Sequence, residues 1–141
     1  MKIRALLDKA MITLGYGEHF QLEPLAGGDT TVTVKLSAKS WKMVAKIHEK
    51  PDIVQAEADG LSAIRRFVRV PDVHFSGEVE GIGLLLMEFL PMTPPQNDDE
   101  WKTLGSGLAR LHSLSRRQKG FGFGRDNFLG GSPQANAVAQ S

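Results

Sequence analysis

The sequence predicts an α+β fold: a curled antiparallel sheet of about five strands with a helix beside it, then the first helix and loop of a second lobe. Three observations predict it. Strand-like runs recur between residues 20 and 48, helical apolar periodicity extends from residue 52 toward 68, and an almost unbroken apolar run covers Ile82 to Phe89. A linker containing Pro91, Pro94 and Pro95 follows, so the chain is expected to divide into residues 1–92 and 93–141.

Each element has its own signal. From residue 3 to about 14, Ile3, Leu6, Leu7, Ala10, Met11 and Leu14 share a helical face, and Gly15 and Gly17 can end the helix through a left-handed cap. Phe20 to Leu25 alternates weakly until Gly27-Gly28-Asp29 breaks it. Thr30 to Leu36 resumes, with β-branched residues from Thr30 to Val34. Trp41 to His48 is a third strand. Trp41, Met43, Ala45 and Ile47 share one side, which leaves Lys42, Val44, Lys46 and His48 on the other. Pro51-Asp52 opens a helix with Asp52 expected as N-cap; Val54, Ala58, Leu61 and Val68 form its stripe, with Ile64 at the edge. Glu57 lies roughly 60° around that helix from Val54 and can point toward the sheet.

Val73 to Ser76 reads as a short strand, Glu78 to Gly81 as a turn, and Ile82 to Phe89 as a strand buried on both faces. Asp98 or Asp99 is expected to cap a helix running to about Leu114, with Trp101, Leu104, Leu108 and Leu111 as its stripe. Gly120 to Gly124 and Gly130-Gly131-Ser132-Pro133 are turn-rich, and residues 134–141 have the small, polar composition of a fraying tail.

Composition excludes several classes. Hydrophobic residues make up 41% of 141 and charged ones 23%, a globular balance. A net charge of +1 gives no broad basic footprint for nucleic acid. No apolar run approaches the ~20 residues of a membrane span, and no signal-peptide core develops, so a cytoplasmic location is expected. There are no cysteines, which removes disulfides, thiolate metal sites and thiol nucleophiles. His19, His48 and His74 lack ligand spacing, and no metal site is expected from them.

The chemistry concentrates between Leu25 and Glu57. A turn through Gly27, Gly28 and Asp29 exposes backbone N–H groups to an anion, and Thr30 and Thr31 add hydroxyl donors. The same glycine pair also suits a plain hairpin turn. Lys46 supplies a cation from a strand, and a lysine holding phosphates needs an anionic partner to fix its flexible stem. Glu57 can be that partner. The run Met87-Glu88-Phe89-Leu90-Pro91 resembles an adenine hinge, where freed backbone groups at Glu88 and Leu90 would pair with the base. Glycine turn, strand lysine, helical glutamate and hinge follow in the order of a protein kinase-like small lobe.

Longer stretches carry a family resemblance: Pro24 to Asp29, Val44 to Ile47, Gln55 to Leu61, Val70 to Val73, Leu84 to Leu90, Leu108 to His112, and most specifically Phe121 to Gly130 running on to Asn136. They resemble the fructosamine kinase (ketosamine kinase) family, a branch of the aminoglycoside phosphotransferase-like kinases. The resemblance implies ATP with magnesium as cofactors, and a sugar-amine adduct as the substrate phosphorylated. It implies that the Gly27-Gly28-Asp29 turn covers the ATP phosphates, that Lys46 binds them and that Glu57 orients Lys46.

The sequence also departs from the family. Its His-Gly-Asp-Leu catalytic segment and following metal-binding aspartate are absent; His112 is followed by Ser113-Leu114, and Asp126 belongs to a loop upstream of that segment. After Asp29 the family's aliphatic and small polar pair is replaced by two threonines. No catalytic or metal residue is therefore expected in this chain, and the isolated polypeptide should transfer little or no phosphate. Two alternatives stand beside this reading. One is a non-catalytic nucleotide- or protein-binding remnant that self-associates through a bare apolar surface. The other is the N-terminal part of an aminoglycoside or choline kinase-like enzyme.

Overall fold

The computed structural model describes residues 3–26, 30–115 and 122–136. Five antiparallel strands form a sheet in the spatial order β1-β2-β3-β5-β4. They are β1 (Gln21–Pro24), β2 (Val32–Ser37), β3 (Lys42–His48), β4 (Val73–Val79) and β5 (Ile82–Glu88). Helix α1 (Ile3–Thr13) precedes the sheet, α2 (Pro51–Ile64) connects β3 to β4, and α3 (Asp98–Ser115) follows. A two-stranded hairpin of β6 (Asn127–Leu129) and β7 (Ser132–Gln134) comes last.

The period of two along β3 divides the core. Met43, Ala45 and Ile47 join Val34, Leu36, Leu84 and Leu86, and α1 covers them with Leu6, Leu7, Ala10 and Met11. Val44, Leu85 and Met87 face the other way and meet Val54 and Ala58 of α2. β5 serves both cores, which is why its sequence is continuously apolar; Gly83 to Met87 are all buried. Arg4 ties α1 to the sheet edge: its guanidinium donates to the Phe20 carbonyl at 3.1 Å and lies over the Phe20 ring.

The ends of elements differ from expectation for local reasons. α2 is capped by extended Lys50 rather than by Asp52, with no side-chain cap bond. Pro51 occupies the first helical turn, where its missing N–H costs nothing, and this sets Asp52 inside the helix. α2 stops at Ile64, so Val68 is not in its stripe; the Phe67 and Val68 N–H groups donate back to the Ile64 carbonyl in a turn. β4 runs on to Val79, and the turn narrows to Glu80-Gly81, both at positive φ as a two-residue hairpin requires. α3 is capped by Asn97, whose Oδ1 accepts the Glu100 N–H at 3.0 Å, rather than by Asp98 or Asp99. The hairpin β6–β7 was not anticipated. Gly120, Phe121 and residues 137–141, read above as loop and tail, lie outside the described residues.

Candidate functional site

The face of the sheet that carries α2 also carries Lys46, the candidate cation. Lys46 projects from it because Met43, Ala45 and Ile47 claim the opposite face. Across the sheet Thr33 and Leu85 are its register partners. Two residues along the strands, Lys35, Val44 and Met87 form the next row of the same face. Val44, Leu85 and Met87, flanked by Leu25 and Phe89, make an apolar floor beside the lysine.

Glu57 reaches this face from α2. Its Oε1 accepts from Lys46 Nζ at 2.5 Å, with the two side chains 33% and 27% exposed respectively. The pair is thus sheltered but reachable by a ligand. A cavity of about 460 Å³ opens next to it, lined by Thr30, Thr31, Glu57 and Gly60 with Asn127 and Phe128 of β6. Gly27, Gly28 and Asp29, the proposed phosphate turn, lie outside the described residues; Thr30 and Thr31 bring its downstream end to the cavity.

At the far end of β5 the strand ends at Glu88 and the chain continues in irregular backbone. Met87 is buried against α2. The Glu88 side chain turns away from the floor: it accepts from Arg69 Nη2 at 2.5 Å and from the Asp72 N–H at 3.2 Å. The Glu88 N–H is itself committed to the Asp72 carbonyl at 2.8 Å, so a ligand bond at this residue would fall to its carbonyl. Leu90 lies beyond the strand in irregular backbone.

Sequence reasoning missed a polar chain on the far flank of α2. Ser76 Oγ donates to Gln55 Oε1 at 3.0 Å, Gln55 Nε2 donates to Asp59 Oδ1 at 3.1 Å, and Arg125 Nη1 donates to Asp59 Oδ2 at 2.5 Å. The Arg125 hydrogen bond holds the Asp59 carboxyl below its ordinary pKa; burial opposes this and Gln55 assists it. Asp126 is structural: its Oδ1 accepts the Asn136 N–H at 2.9 Å and closes the base of the hairpin. Among the described residues no group of three His, Asp or Glu side chains could hold a metal ion. No helix among them is long and apolar enough to cross a membrane.

A five-stranded lobe with a strand lysine paired to a helical glutamate is the architecture of a kinase-like small lobe. The fructosamine kinase family model matches residues 7–141, and the chain belongs to that family. A protein assigned as a ketoamine kinase in Enterococcus faecium is 37% identical over 119 residues, 83% of this chain and 41% of the relative. The chloroplastic protein-ribulosamine 3-kinase of Arabidopsis thaliana is 37% identical over 89 residues, 61% of this chain and 27% of the relative. The crystal structure of a Haemophilus somnus protein assigned as a fructosamine-3-kinase covers 99% of this chain and 47% of that one, with a TM-score of 0.72 at 22% identity. That likeness shows the fold. The chain spans less than half the length of these relatives.

Proposed function

We propose that this chain supplies the nucleotide-binding lobe of an ATP-dependent kinase of ketosamines, the sugar-amine adducts for which its relatives are named. The observation that carries the reading is the Lys46–Glu57 ion pair, set beside an apolar floor. Lys46 donates to the nucleotide phosphates, and Glu57 fixes the direction of its ammonium. Val44, Met87, Leu25 and Phe89 pack against the adenine, with the Glu88 carbonyl and the Leu90 N–H pairing along its edge. Backbone N–H groups of Gly27, Gly28 and Asp29, with the hydroxyls of Thr30 and Thr31, close over the phosphates.

Magnesium, when bound, neutralises charge on the transferring phosphoryl group. Holding phosphates is one part of that transfer. The other parts are a base for the sugar hydroxyl and carboxylates for the metal, and the sequence contains no His-Gly-Asp segment to provide them. The 141 residues alone therefore bind nucleotide without appreciable transfer. We place the working division at residue 92, with 93–141 as the start of a second lobe.

The test is titration with an ATP analogue and magnesium, with Lys46→Ala alongside, followed by an assay of phosphate transfer to a fructosamine. Binding that depends on Lys46, without transfer, supports the reading. Binding indifferent to Lys46 moves the nucleotide elsewhere, and transfer at ordinary enzymatic rates overturns the claim that the isolated chain is incompetent.

A further inference from the structure

We propose that Arg125 and Asp59 are positioning residues: through their ion pair, the β6–β7 hairpin sets the rotation of α2 so that Glu57 meets Lys46. This deepens the nucleotide-binding reading and rests on it. α2 is attached to the sheet mainly through Val54 and Ala58, and apolar contact is non-directional. Rotating a helix by about 30° swings a side-chain tip roughly 3 Å at a radius of about 5–6 Å. Such a swing would break the 2.5 Å contact between Glu57 and Lys46. A directional contact on the other flank would add to the packing in fixing this rotation.

The polar chain from Ser76 to Arg125 is directional, and it acts on the opposite flank. Gln55 and Asp59 lie one turn apart, each roughly 160° around the helix from Glu57. β4 holds Gln55 through Ser76, and Arg125 holds Asp59 across 66 residues of sequence. Arg125 is presented by a braced unit. The Asn136 N–H donates to Asp126, and the Phe123 N–H donates to the Asn136 carbonyl at 3.0 Å.

The hairpin also borders the side proposed for the phosphates. A Cβ placed on Gly130 would lie 3.8 Å from Thr30 Cγ2, so the hairpin backbone runs close beside Thr30. Asn127, Phe128 and Gly130 share the cavity lined by Thr30, Thr31 and Glu57. The hairpin thus meets α2 and shares a cavity with Thr30 and Thr31, the two parts that must keep register for a phosphate to be held.

The experiment uses the full chain with Arg125→Ala, Asp59→Asn, the double variant and Arg125→Lys. Two readouts are taken: affinity for the magnesium complex of an ATP analogue, and backbone hydrogen exchange. Each single loss is expected to weaken binding about fivefold or more, the lower end of ordinary coupling between sites. The double variant should be no weaker than the worse single, and Arg125→Lys should recover part of the loss. Exchange should quicken along α2 and at residues 30–33 in Arg125→Ala. Affinity retained in these variants while Lys46→Ala abolishes it would overturn the coupling and leave the nucleotide site standing. Exchange that quickens only within residues 123–136 would overturn the coupling as well. Absence of nucleotide binding in the unaltered chain would remove the nucleotide reading, and the exchange measurement would still decide whether the hairpin controls α2.

Discussion

Gly83 of β5 and Pro51 of α2 approach so closely that a Cβ on Gly83 would lie 2.7 Å from Pro51 Cα. It would also lie 2.8 Å from Val54 Cγ2 and 3.2 Å from the His48 carbonyl oxygen. Two of these three obstacles are backbone, so no side-chain rotation relieves them. The start of α2 is pressed onto the sheet at the one β5 position without a side chain. Gly83→Ala is expected to destabilise by about 1–3 kcal/mol, the usual cost of overpacking. Because relief requires α2 to tilt, nucleotide affinity should fall as well. Leu36→Val, on the opposite face, should cost stability with affinity kept. Urea unfolding and nucleotide titration of the two variants distinguish these outcomes.

Lys46→Ala separates binding from stability. The Lys46–Glu57 pair is about a third exposed, and such pairs contribute about 0–1 kcal/mol to folding. The melting temperature should therefore move little. Nucleotide affinity should fall tenfold or more, because the lost ammonium is a charged donor to phosphate. Calorimetric titration beside a thermal melt checks both halves; a large drop in melting temperature with unchanged affinity would make the pair a structural strut.

The face of Lys46 was legible because a strand has a period of two, and Met43, Ala45 and Ile47 mark the side opposite to it. Glu57 was legible from its order after Lys46. The end of α2 was not: Val68 continues the helical spacing, and periodicity alone does not register that Phe67 and Val68 bond back to Ile64 in a turn. Gly130-Gly131 between two short runs is a hairpin signal, but three-residue runs carry too little alternation to mark strands. The Asp59–Arg125 pair had no local signal at all, since charges 66 residues apart are joined by tertiary packing. The apolar floor was half legible. Met87 belongs to an obvious strand, but the arrival of Leu25 and Phe89 beside it depends on how β1 and the hinge curl.

Asp59 gives a pH dependence with a defined sign. Its folded pKa lies below the unfolded value, chiefly through the hydrogen bond from Arg125. The stabilisation is present above the ordinary aspartate value of about 4 and is lost as pH falls through the folded value. The side chains are 37% and 32% exposed, so the effect is small and reduced by salt. Asp59→Asn should flatten the acid limb of a stability-versus-pH curve below about pH 4 and leave its neutral shape unchanged. An acid limb of unaltered slope would show that the pair does not persist in solution.

α3 offers the remaining test. Trp101, Leu104 and Leu108 fall on one stripe, and they are 58%, 46% and 49% exposed. Exposed apolar stripes of this kind promote association. The chain is expected to self-associate as its concentration rises, with the stripes of two copies covering each other. Trp101→Gln with Leu108→Gln should shift it toward monomer. Both residues are already in contact with solvent, so folding stability should change by no more than about 0.5 kcal/mol per site. Sedimentation velocity over a hundredfold range of concentration reads the outcome. A single monomeric species throughout would remove self-association through α3, and association that survives both substitutions would locate the contact on another face.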